Sequence, residues 1–284
     1  MTNREQYRIF LQQLKAIYNL NEATIITDWV LESLAGMQRF DVVKDPEKLL
    51  PDTITEKFKV ALEELLQHKP VQYVTGEAWF YNMKLKVDKS VLIPRPETEE
   101  LVKLVLDAVK DAAILAPSII DIGTGSGCIA IAVKKNLSAA SVTAIDVSES
   151  ALAIAKDNSA VQQTDIQFLK VDFLEESQWV SLPRYDVIVS NPPYIPMDEK
   201  EKLDKNVTGF EPHQALFVPD RLPLLFYEKI AAFASAHLNP KGKIFMEVHE
   251  SFAKETAALF TKNFSEALIK KDIFGKERMV VVTY

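Results

Sequence analysis

Apolar residues are spaced differently in the first 70 residues of the chain than in the rest. Near the start they recur at intervals of three and four, as in Tyr7, Phe10, Leu11 and Leu14, a spacing that puts them on one face of an α-helix. Two further stripes of this kind are Ile25, Ile26, Trp29, Val30 and Leu34, and later Val60, Leu62, Leu65 and Leu66. The pattern predicts a small helical domain over residues 1–72.

A stretch of β-favouring residues follows, over residues 73–95. Two runs rich in aromatic and branched residues, Ala78–Tyr81 and Leu85–Val87, lie on either side of Asn82. This arrangement predicts a β-hairpin. We interpret the stretch as an ordered connector that carries its own strands.

From residue 96 onward, short apolar runs alternate with amphipathic segments. The runs predicted to be strands are 118–122, 142–146, 166–171, 185–190 and 243–248. Helices are predicted at 97–110, 129–135, 149–158, 222–237 and 251–262. Two last β-rich runs, at 267–269 and 279–283, have the pattern of an antiparallel pair. Alternating strands and helices predict an α/β domain over 96–284 whose mostly parallel sheet is covered by helices on both faces.

Composition and charge limit the classes of partner. Of the 284 residues 48% are apolar, and the formal net charge is -7. Proteins that grip a long nucleic-acid duplex usually carry a basic excess, so the charge argues against that function. The one cysteine, Cys128, excludes an internal disulfide and a cysteine-cluster metal site. The polar N-terminus and the absence of a long apolar run predict a cytoplasmic protein with no membrane segment.

A glycine-rich loop stands where the first strand of the α/β domain meets the next helix. Its residues are Asp121, Ile122, Gly123, Thr124, Gly125, Ser126 and Gly127. In an open α/β sheet this place, outside the carboxyl end of a strand, is the usual ligand site. Glycines allow positive φ and close approach of a ligand to the backbone. The G-x-G-x-G spacing differs from the G-x-G-x-x-G of dinucleotide folds, and the loop contains no lysine for a phosphate.

Acidic residues at the ends of the next two strands narrow the kind of ligand. Asp146 ends the second strand at a spacing suited to a ribose diol. Asp172 follows the third strand, and Phe173 beside it stands at the height where a purine would lie. Each aspartate alone fits a helix cap or a turn equally well. In this order, after the glycine loop, they predict a ligand with adenosine and no phosphate.

The fourth predicted strand runs into Asn191-Pro192-Pro193-Tyr194. Proline fixes φ and holds the preceding residue extended, so the backbone of this loop is stiff. The Asn191 side-chain oxygen and the Pro192 carbonyl are two acceptors that suit a flat group bearing an NH₂. Tyr194 follows directly and is expected to pack on that flat group.

Taken together, these motifs resemble those of the class I S-adenosylmethionine-dependent methyltransferases. The resemblance implies a Rossmann-like seven-stranded sheet, S-adenosyl-L-methionine as cofactor and S-adenosyl-L-homocysteine as product. The residues that it assigns to the cofactor are Asp121, Gly123, Thr124, Gly125, Ser126, Gly127, Asp146, Asp172, Phe173 and Asn191. In this superfamily the Asn-Pro-Pro-Tyr tetrapeptide marks enzymes that methylate a nitrogen conjugated to a π-system, either the amino group of a base or the amide of glutamine.

Runs outside the cofactor motifs are similar to those of the release-factor glutamine methyltransferases. These runs are Pro70–Glu77, Val91–Glu99, Glu211-Pro212 and Ala215-Leu216. This similarity implies methyl transfer to the side-chain nitrogen of the glutamine in the Gly-Gly-Gln loop of peptide-chain release factors. It makes Asn191, Pro192 and Tyr194 catalytic, and Asn191 to Tyr194 the substrate site, with no metal. We expect a monomer whose N-terminal helices bind the protein substrate, with no direct contact to nucleic acid.

Two other functions fit part of the pattern. A nucleic-acid amino-methyltransferase shares the tetrapeptide, but it usually has a basic surface and room for a flipped base. A binding module that has lost activity is the third interpretation, and the intact glycine loop, Asp146 and Asn191 argue against it. The chain departs from the family at Phe217–Arg221 and at Glu247–Ser251, where His249 adds a titratable group.

Overall fold

The computed structural model describes residues 1–284, which form two compact units. The helical unit contains residues Met1–Glu77 and Asp204–Phe210, and the sheet unit contains Ala78–Leu203 and Glu211–Tyr284. No helix combines the length and the apolar character that crossing a bilayer requires.

The elements are numbered in chain order. The helices are α1 (Asn3–Leu14), α2 (Leu20–Ala35), α3 (Arg39–Lys44), α4 (Asp52–Leu66), α5 (Val71–Thr75), α6 (Pro96–Asp111), α7 (Cys128–Asn136), α8 (Glu149–Val161), α9 (Lys205–Phe210), α10 (His213–Leu216), α11 (Leu225–His237) and α12 (Ala253–Phe260). The strands are β1 (Glu77–Phe80), β2 (Met83–Lys86), β3 (Ser118–Ile122), β4 (Ser141–Asp146), β5 (Gln167–Lys170), β6 (Tyr185–Ser190), β7 (Ile195–Pro196), β8 (Phe217–Val218), β9 (Leu238–Glu247), β10 (Glu266–Lys271) and β11 (Glu277–Thr283). Short 3₁₀ helices lie at Glu176–Trp179, Met197–Lys202 and Glu250–Phe252.

The helical unit consists of helices, as the apolar spacing predicts, but two residues of the predicted stripes, Ile25 and Val60, are exposed (63% and 49%). Thr2 and Glu5 form a capping box at the start of α1, and the Asn19 side chain caps α2. The inward faces of the helices form one core, which contains Phe10, Leu14, Val30, Leu31, Phe58 and Leu65. Burial of these faces, rather than intrinsic helix propensity, supplies most of the stability of such short helices.

One short segment differs from the expected β-rich connector. Residues Val71–Thr75 form α5, which begins after Pro70 and ends at Gly76 in the left-handed region (φ 75°). Tyr73 is buried on this helix. The β-favouring side chains are accommodated in a single helical turn because burial outweighs their weak propensity.

The predicted hairpin is present in β1 and β2. The residues between the strands, Tyr81 and Asn82, both have positive φ (48° and 60°). Two successive residues with positive φ define the turn that matches the twist of a two-residue hairpin, and asparagine tolerates that region well. Asn82 was the residue from which the sequence predicted the turn.

The sheet unit contains one seven-stranded sheet in the order β10-β11-β9-β6-β3-β4-β5. Strands β9, β6, β3, β4 and β5 run parallel, and β11 joins β9 and β10 by antiparallel pairing. A buried apolar cluster covers each face. The predicted α/β class, the parallel core and the terminal antiparallel pair are confirmed.

The topology places the loops that carry candidate chemistry at one edge of the sheet. Strand order changes direction at β3, since β4 pairs on one side of it and β6 on the other. Ligands bind outside the carboxyl ends of the strands at such a switch point. The loops after β3, β4, β5 and β6 all leave the sheet at this edge. A small parallel pair, β7 with β8, ties Ile195 to Phe217 beyond it.

Candidate active site

A cleft of about 290 Å³ opens at the carboxyl edge of the sheet, and all of its lining comes from the sheet unit. Ten residues predicted from the sequence line it: Gly123, Thr124, Gly125, Ser126, Asp146, Asp172, Phe173, Asn191, Pro192 and Pro193. The predicted residues Asp121, Gly127 and Tyr194 do not line it. The structure therefore brings these ten residues together in one cleft and places the other three outside its lining.

The glycine loop is held against β4 by backbone hydrogen bonds. The amides of Gly123 and Thr124 both donate to the Ile145 carbonyl, at 2.9 and 3.0 Å. Gly123 and Gly125 have positive φ, and a Cβ added to either would point into open space. The loop thus presents bare backbone to the cleft, which is what close approach of a ligand requires.

Asp146 lies at the end of β4 with its carboxylate against the same loop. One oxygen accepts from the Gly125 amide and the other from the Ser148 amide, both at 2.9 Å. Burial raises the pKa of Asp146, although these backbone donors oppose the rise. Each oxygen keeps a second lone pair. The carboxylate is therefore oriented by the protein and able to accept further hydrogen bonds from a ligand.

Asp121 lies beneath the loop rather than in the cleft. Its side chain is fully buried, and one oxygen accepts from the Thr124 hydroxyl at 2.6 Å and from the Ala130 amide at 3.3 Å. The other oxygen has no partner in the protein. Burial raises the pKa of Asp121 to about 7. Its observed contacts connect the loop to the first turn of α7.

The sequence predicted Phe173 beside a purine. In the structure its ring also packs against two other aromatic side chains. Its ring is 5% exposed, stacks on Trp179 with centroids 5.1 Å apart, and meets Phe233 edge-on at 5.5 Å. Only part of it borders the cleft. The neighbouring Asp172 also lines the cleft, and one of its oxygens accepts from the Leu174 amide at 3.0 Å.

The Asn191–Tyr194 loop is anchored by two of its side chains. Asn191 Nδ2 donates to Thr98 Oγ1 at 3.1 Å, and the Tyr194 hydroxyl donates to Glu247 Oε1 at 2.9 Å. Asn191 and Pro192 face the cleft, as predicted, whereas Tyr194 packs against the apolar cluster on one face of the sheet. Burial raises the pKa of Tyr194 far above its usual value. The geometry thus gives Tyr194 an anchoring contact to Glu247.

Sequence reasoning missed Thr98 and Glu247, which join this loop to α6 and β9. Thr98 Oγ1 donates to Glu247 Oε2 at 2.7 Å, and both residues are 2% exposed. A signal was present in the chain, since Glu247 ends an apolar strand, and a buried carboxylate needs hydrogen-bond donors. The donors themselves come from distant parts of the sequence, so the pairing was visible only in the structure.

Arg95 borders the same cleft and is held by a buried acid. Its Nη2 lies 2.5 Å from Glu211 Oε1, while Glu211 Oε2 accepts from the Ile93 amide at 3.1 Å. The side chain of Glu211 is nearly inaccessible and that of Arg95 is about one-third exposed. This pair connects the segment before α6 to the segment before α10. It also provides the one cationic side chain of the cleft lining.

His249 is the titratable residue at which the chain departs from the family pattern. It does not line the cleft. Its Nδ1 accepts from the Ser251 amide at 3.2 Å, and its Nε2 lies 3.4 Å from Glu199 Oε2. Its ring meets Tyr194 edge-on at 6.1 Å. These contacts give it a place in the wall behind the Asn191–Tyr194 loop.

The cleft fits a ligand of the adenosyl-sulfonium type. Bare backbone at Gly123 and Gly125 leaves room for it, and the buried Ser126 hydroxyl, which lines the cleft, has no partner in the protein. The unpartnered oxygen of Asp121 lies behind the same loop. Acidic groups and hydroxyls complement an ammonium and a ribose, and no side chain of the lining is a lysine that a phosphate would call for.

Comparisons with known proteins agree with this chemistry. Residues 99–208 match the family model "Methyltransferase small domain", and residues 6–76 match "PrmC N-terminal domain". The fold is shared with the catalytic domain of hMettl16 (TM-score 0.53, 17% identity, 72% of this chain and 76% of that one) and with the Thermus thermophilus methyltransferase RsmC (TM-score 0.51, 15% identity, 73% and 49%).

Fold and site together define a class I S-adenosylmethionine-dependent methyltransferase. Two curated relatives, both named release factor glutamine methyltransferase, narrow the class. The protein of Flavobacterium psychrophilum is 40% identical over 97% of this chain and 96% of its own, and that of Streptococcus pneumoniae is 44% identical over 82% and 83%. The chain belongs to the release factor glutamine methyltransferase family.

Proposed function

We propose that this protein transfers the methyl group of S-adenosyl-L-methionine to the side-chain amide nitrogen of the glutamine in the Gly-Gly-Gln loop of peptide-chain release factors. The observation that supports this most is the placement of Asn191. It lines the cleft beside the glycine loop, and its Nδ2 is engaged by Thr98. Its Oδ1 and the Pro192 carbonyl are then the two acceptors for the two N–H bonds of a primary amide.

The reaction needs orientation more than it needs a strong base. An amide nitrogen is a poor nucleophile because its lone pair is delocalised into the carbonyl group. Two acceptors that hold its N–H bonds turn the nitrogen toward the methyl donor and stabilise the positive charge that develops on it. Such alignment contributes up to roughly 7–11 kcal/mol in well-oriented systems.

When bound, S-adenosyl-L-methionine would supply an electrophilic methyl group on a sulfonium, and transfer of that methyl to the amide nitrogen would leave the sulfur–carbon electron pair on sulfur in the neutral thioether S-adenosyl-L-homocysteine. The methylated nitrogen then loses a proton to water. Residues of this chain hold the amide in line and exclude competing orientations.

For the cofactor we propose contacts along the glycine loop and the next two strand ends. Gly123 to Ser126 border the amino-acid part, Asp146 accepts from the ribose hydroxyls, and Asp172 with the exposed edge of Phe173 borders the adenine. The positions of these residues in the cleft lining support the assignment. Gly127 and Asp121 act from beneath, by shaping the loop.

We also propose that the substrate is a protein rather than a nucleic acid, and that one chain suffices. The net charge is -7, and Arg95, the single cation of the cleft lining, is paired with Glu211. A release factor as substrate makes the cytoplasm the place of action.

The helical unit is proposed to bind the release factor. It contains apolar side chains that its own core leaves exposed, among them Phe40 and Val43, which lie three residues apart on α3. Residues three apart share one face of a helix, so the two form an apolar patch. Patches of this kind on a soluble unit are typical of protein-binding surfaces.

A partition assay tests the proposed function. The protein is incubated with methyl-labelled S-adenosylmethionine and, in separate reactions, with purified release factor, with DNA and with RNA. We expect label in the release factor alone. Label in nucleic acid alone contradicts the proposal and favours an amino-methyltransferase of bases, whereas label in none of the three favours a binding module without activity.

A further inference from the structure

Four side chains form a continuous hydrogen-bonded chain that begins at the cleft lining, with Asn191 and Thr98, and continues into the protein. In order they are Asn191, Thr98, Glu247 and Tyr194, and the three contacts measure 3.1, 2.7 and 2.9 Å. They come from the loop after β6, from α6 and from the end of β9. The Tyr227 hydroxyl also donates to the backbone carbonyl of Glu247 at 3.1 Å, which fixes the strand end that carries the carboxylate.

The direction of every hydrogen bond in this chain follows from the chemistry of its members. The hydroxyl groups of Thr98 and Tyr194 each donate a hydrogen bond to one oxygen of Glu247, the arrangement that a carboxylate with no proton of its own requires. Thr98 Oγ1 has no second proton and therefore acts as acceptor toward Asn191. An acceptor there selects the NH₂ end of the Asn191 amide, which turns Oδ1 away from Thr98.

We propose that Thr98 and Glu247 are positioning residues that set the orientation of the Asn191 amide, so that its oxygen rather than its NH₂ group meets the substrate. The proposal rests on the proposed function, in which Asn191 Oδ1 accepts an N–H of the substrate amide. The two ends of an asparagine amide have nearly the same size, so packing alone selects poorly between them. The hydrogen-bonded chain that ends at the Glu247 carboxylate selects strongly, because in the opposite orientation Asn191 Oδ1 would face Thr98 Oγ1, which has no proton left to donate. That orientation would also set the Asn191 NH₂ group against the NH₂ group of the substrate.

The burial of the chain strengthens this selection. Thr98 and Glu247 are each only 2% exposed, so water does not readily replace a hydrogen-bond partner that either of them loses, and the loss costs free energy. Glu247 makes hydrogen bonds through both of its oxygens, and the guanidinium of Arg278 and the carboxylate of Glu97 are the charged groups that act on it electrostatically. The carboxylate is therefore a fixed acceptor for Thr98.

A double-mutant cycle tests the proposal. Thr98→Val keeps the shape of the side chain and removes the acceptor, and we expect it to lower kcat on release factor by about 10²-fold with an unchanged Kd for S-adenosylmethionine. In an Asn191→Ala background the same change should alter kcat by less than about twofold, since contacting residues that act through one another are not additive. An equal loss in both backgrounds overturns the proposal.

Two variants separate positioning from loss of structure. Thr98→Ser keeps the hydroxyl and should recover the rate to within a few-fold of wild type. Thr256→Val changes a threonine that is fully buried in the same unit and whose hydroxyl has no partner, and it should leave kcat unchanged. A Thr98→Ser variant as slow as Thr98→Val overturns the proposal.

A second measurement does not depend on turnover. With ¹⁵N-labelled asparagine, NMR should show one slowly exchanging Nδ2 proton of Asn191 in the wild type and in Thr98→Ser, and fast exchange in Thr98→Val. Asn191→Ala identifies the resonance. Unchanged exchange in Thr98→Val contradicts the proposal even if the release factor proves not to be the substrate, whereas absence of methyl transfer by the wild type counts only against the proposed function.

Discussion

At the scale of single residues, two buried carboxyl groups of the sheet unit are satisfied to different degrees. Each oxygen of Glu247 accepts a hydrogen bond from a hydroxyl group, whereas one oxygen of Asp121 has no partner. Burial raises the pKa of both groups, to about 7 for Asp121. An unpartnered buried oxygen is costly, and such costs concentrate where a ligand binds.

Asp121→Asn tests the cost of this carboxylate. Folding raises the pKa of Asp121 from 3.8 to about 7. The free energy of unfolding of the wild type therefore falls as the pH rises through that interval, and it stays at the lower value above it. We expect the variant to gain roughly 1–3 kcal/mol in the free energy of unfolding at pH 8, and less at pH 5. Denaturant titrations at the two pH values measure this.

Asp186→Asn is the matched control with the opposite sign. Burial opposes ionisation there, yet hydrogen bonds from Ser118 and Asn239 lower the pKa of Asp186 overall. Its carboxylate therefore stabilises the fold at pH 8, and the variant should be less stable. A stability loss of the same size in both variants at pH 8 contradicts the account of Asp121.

At the level of single residues, the sequence indicated the cleft lining where the signal is local to one strand end. Asp146 was identified because it ends a predicted strand and Asn191 because it directly follows one, and both line the cleft in the structure. Thr98 and Glu247 were missed because their contact joins residues 149 positions apart. Tyr194 was expected on the substrate, but its hydroxyl is bonded to a buried acid that the sequence does not reveal as its partner.

At the scale of elements, the glycines of the loop after β3 serve different purposes. Gly125 lines the cleft, and a Cβ there would enter open space. A Cβ on Gly127 would lie 3.0 Å from Ile131 Cδ1 and 3.1 Å from Ala155 Cβ, because α7 and α8 pack closely at this point. Both have positive φ (55° and 81°), so both carry backbone strain when substituted.

The two alanine variants should therefore fail in different ways. Gly127→Ala adds a steric clash to the strain and should cost roughly 2–4 kcal/mol of folding stability. Gly125→Ala should cost about 1 kcal/mol of stability but weaken S-adenosylmethionine binding by about tenfold or more, a loss of about 1.4 kcal/mol. Calorimetry measures both the folding stability and the affinity for S-adenosylmethionine of each variant. Equal stability losses with unchanged cofactor affinity contradict the distinction.

The sequence predicted most elements of the sheet unit because their periodicity and turn residues agree. Strand β4 coincides closely with the predicted run, and the Asn82 turn is where expected. The pair of β7 and β8 was not predicted, since two-residue strands carry no periodic signal. The last predicted helix was too long at its start, because its first turn is a separate 3₁₀ helix before α12.

At the scale of the whole molecule, the chain combines a helical unit with a methyltransferase unit. The predicted division at residues 72 and 95 remains a prediction about domains. Contacts group residues 1–77 with 204–210, and the hairpin residues from Ala78 onward with the sheet. Residues 204–210 group with the helical unit although they lie far from it in the sequence. The local spacing of apolar residues does not encode such a long-range contact.

The central claim is that Asn191 orients a release-factor glutamine for methylation. The most direct test is site mapping by tandem mass spectrometry after a single turnover at saturating S-adenosylmethionine, with wild type and Asn191→Ala. We expect the wild type to add one methyl group to the side-chain nitrogen of the Gly-Gly-Gln glutamine. The variant should bind the cofactor normally and leave that glutamine unmethylated. A methyl group on another residue, or near wild-type methylation by Asn191→Ala, would contradict the claim.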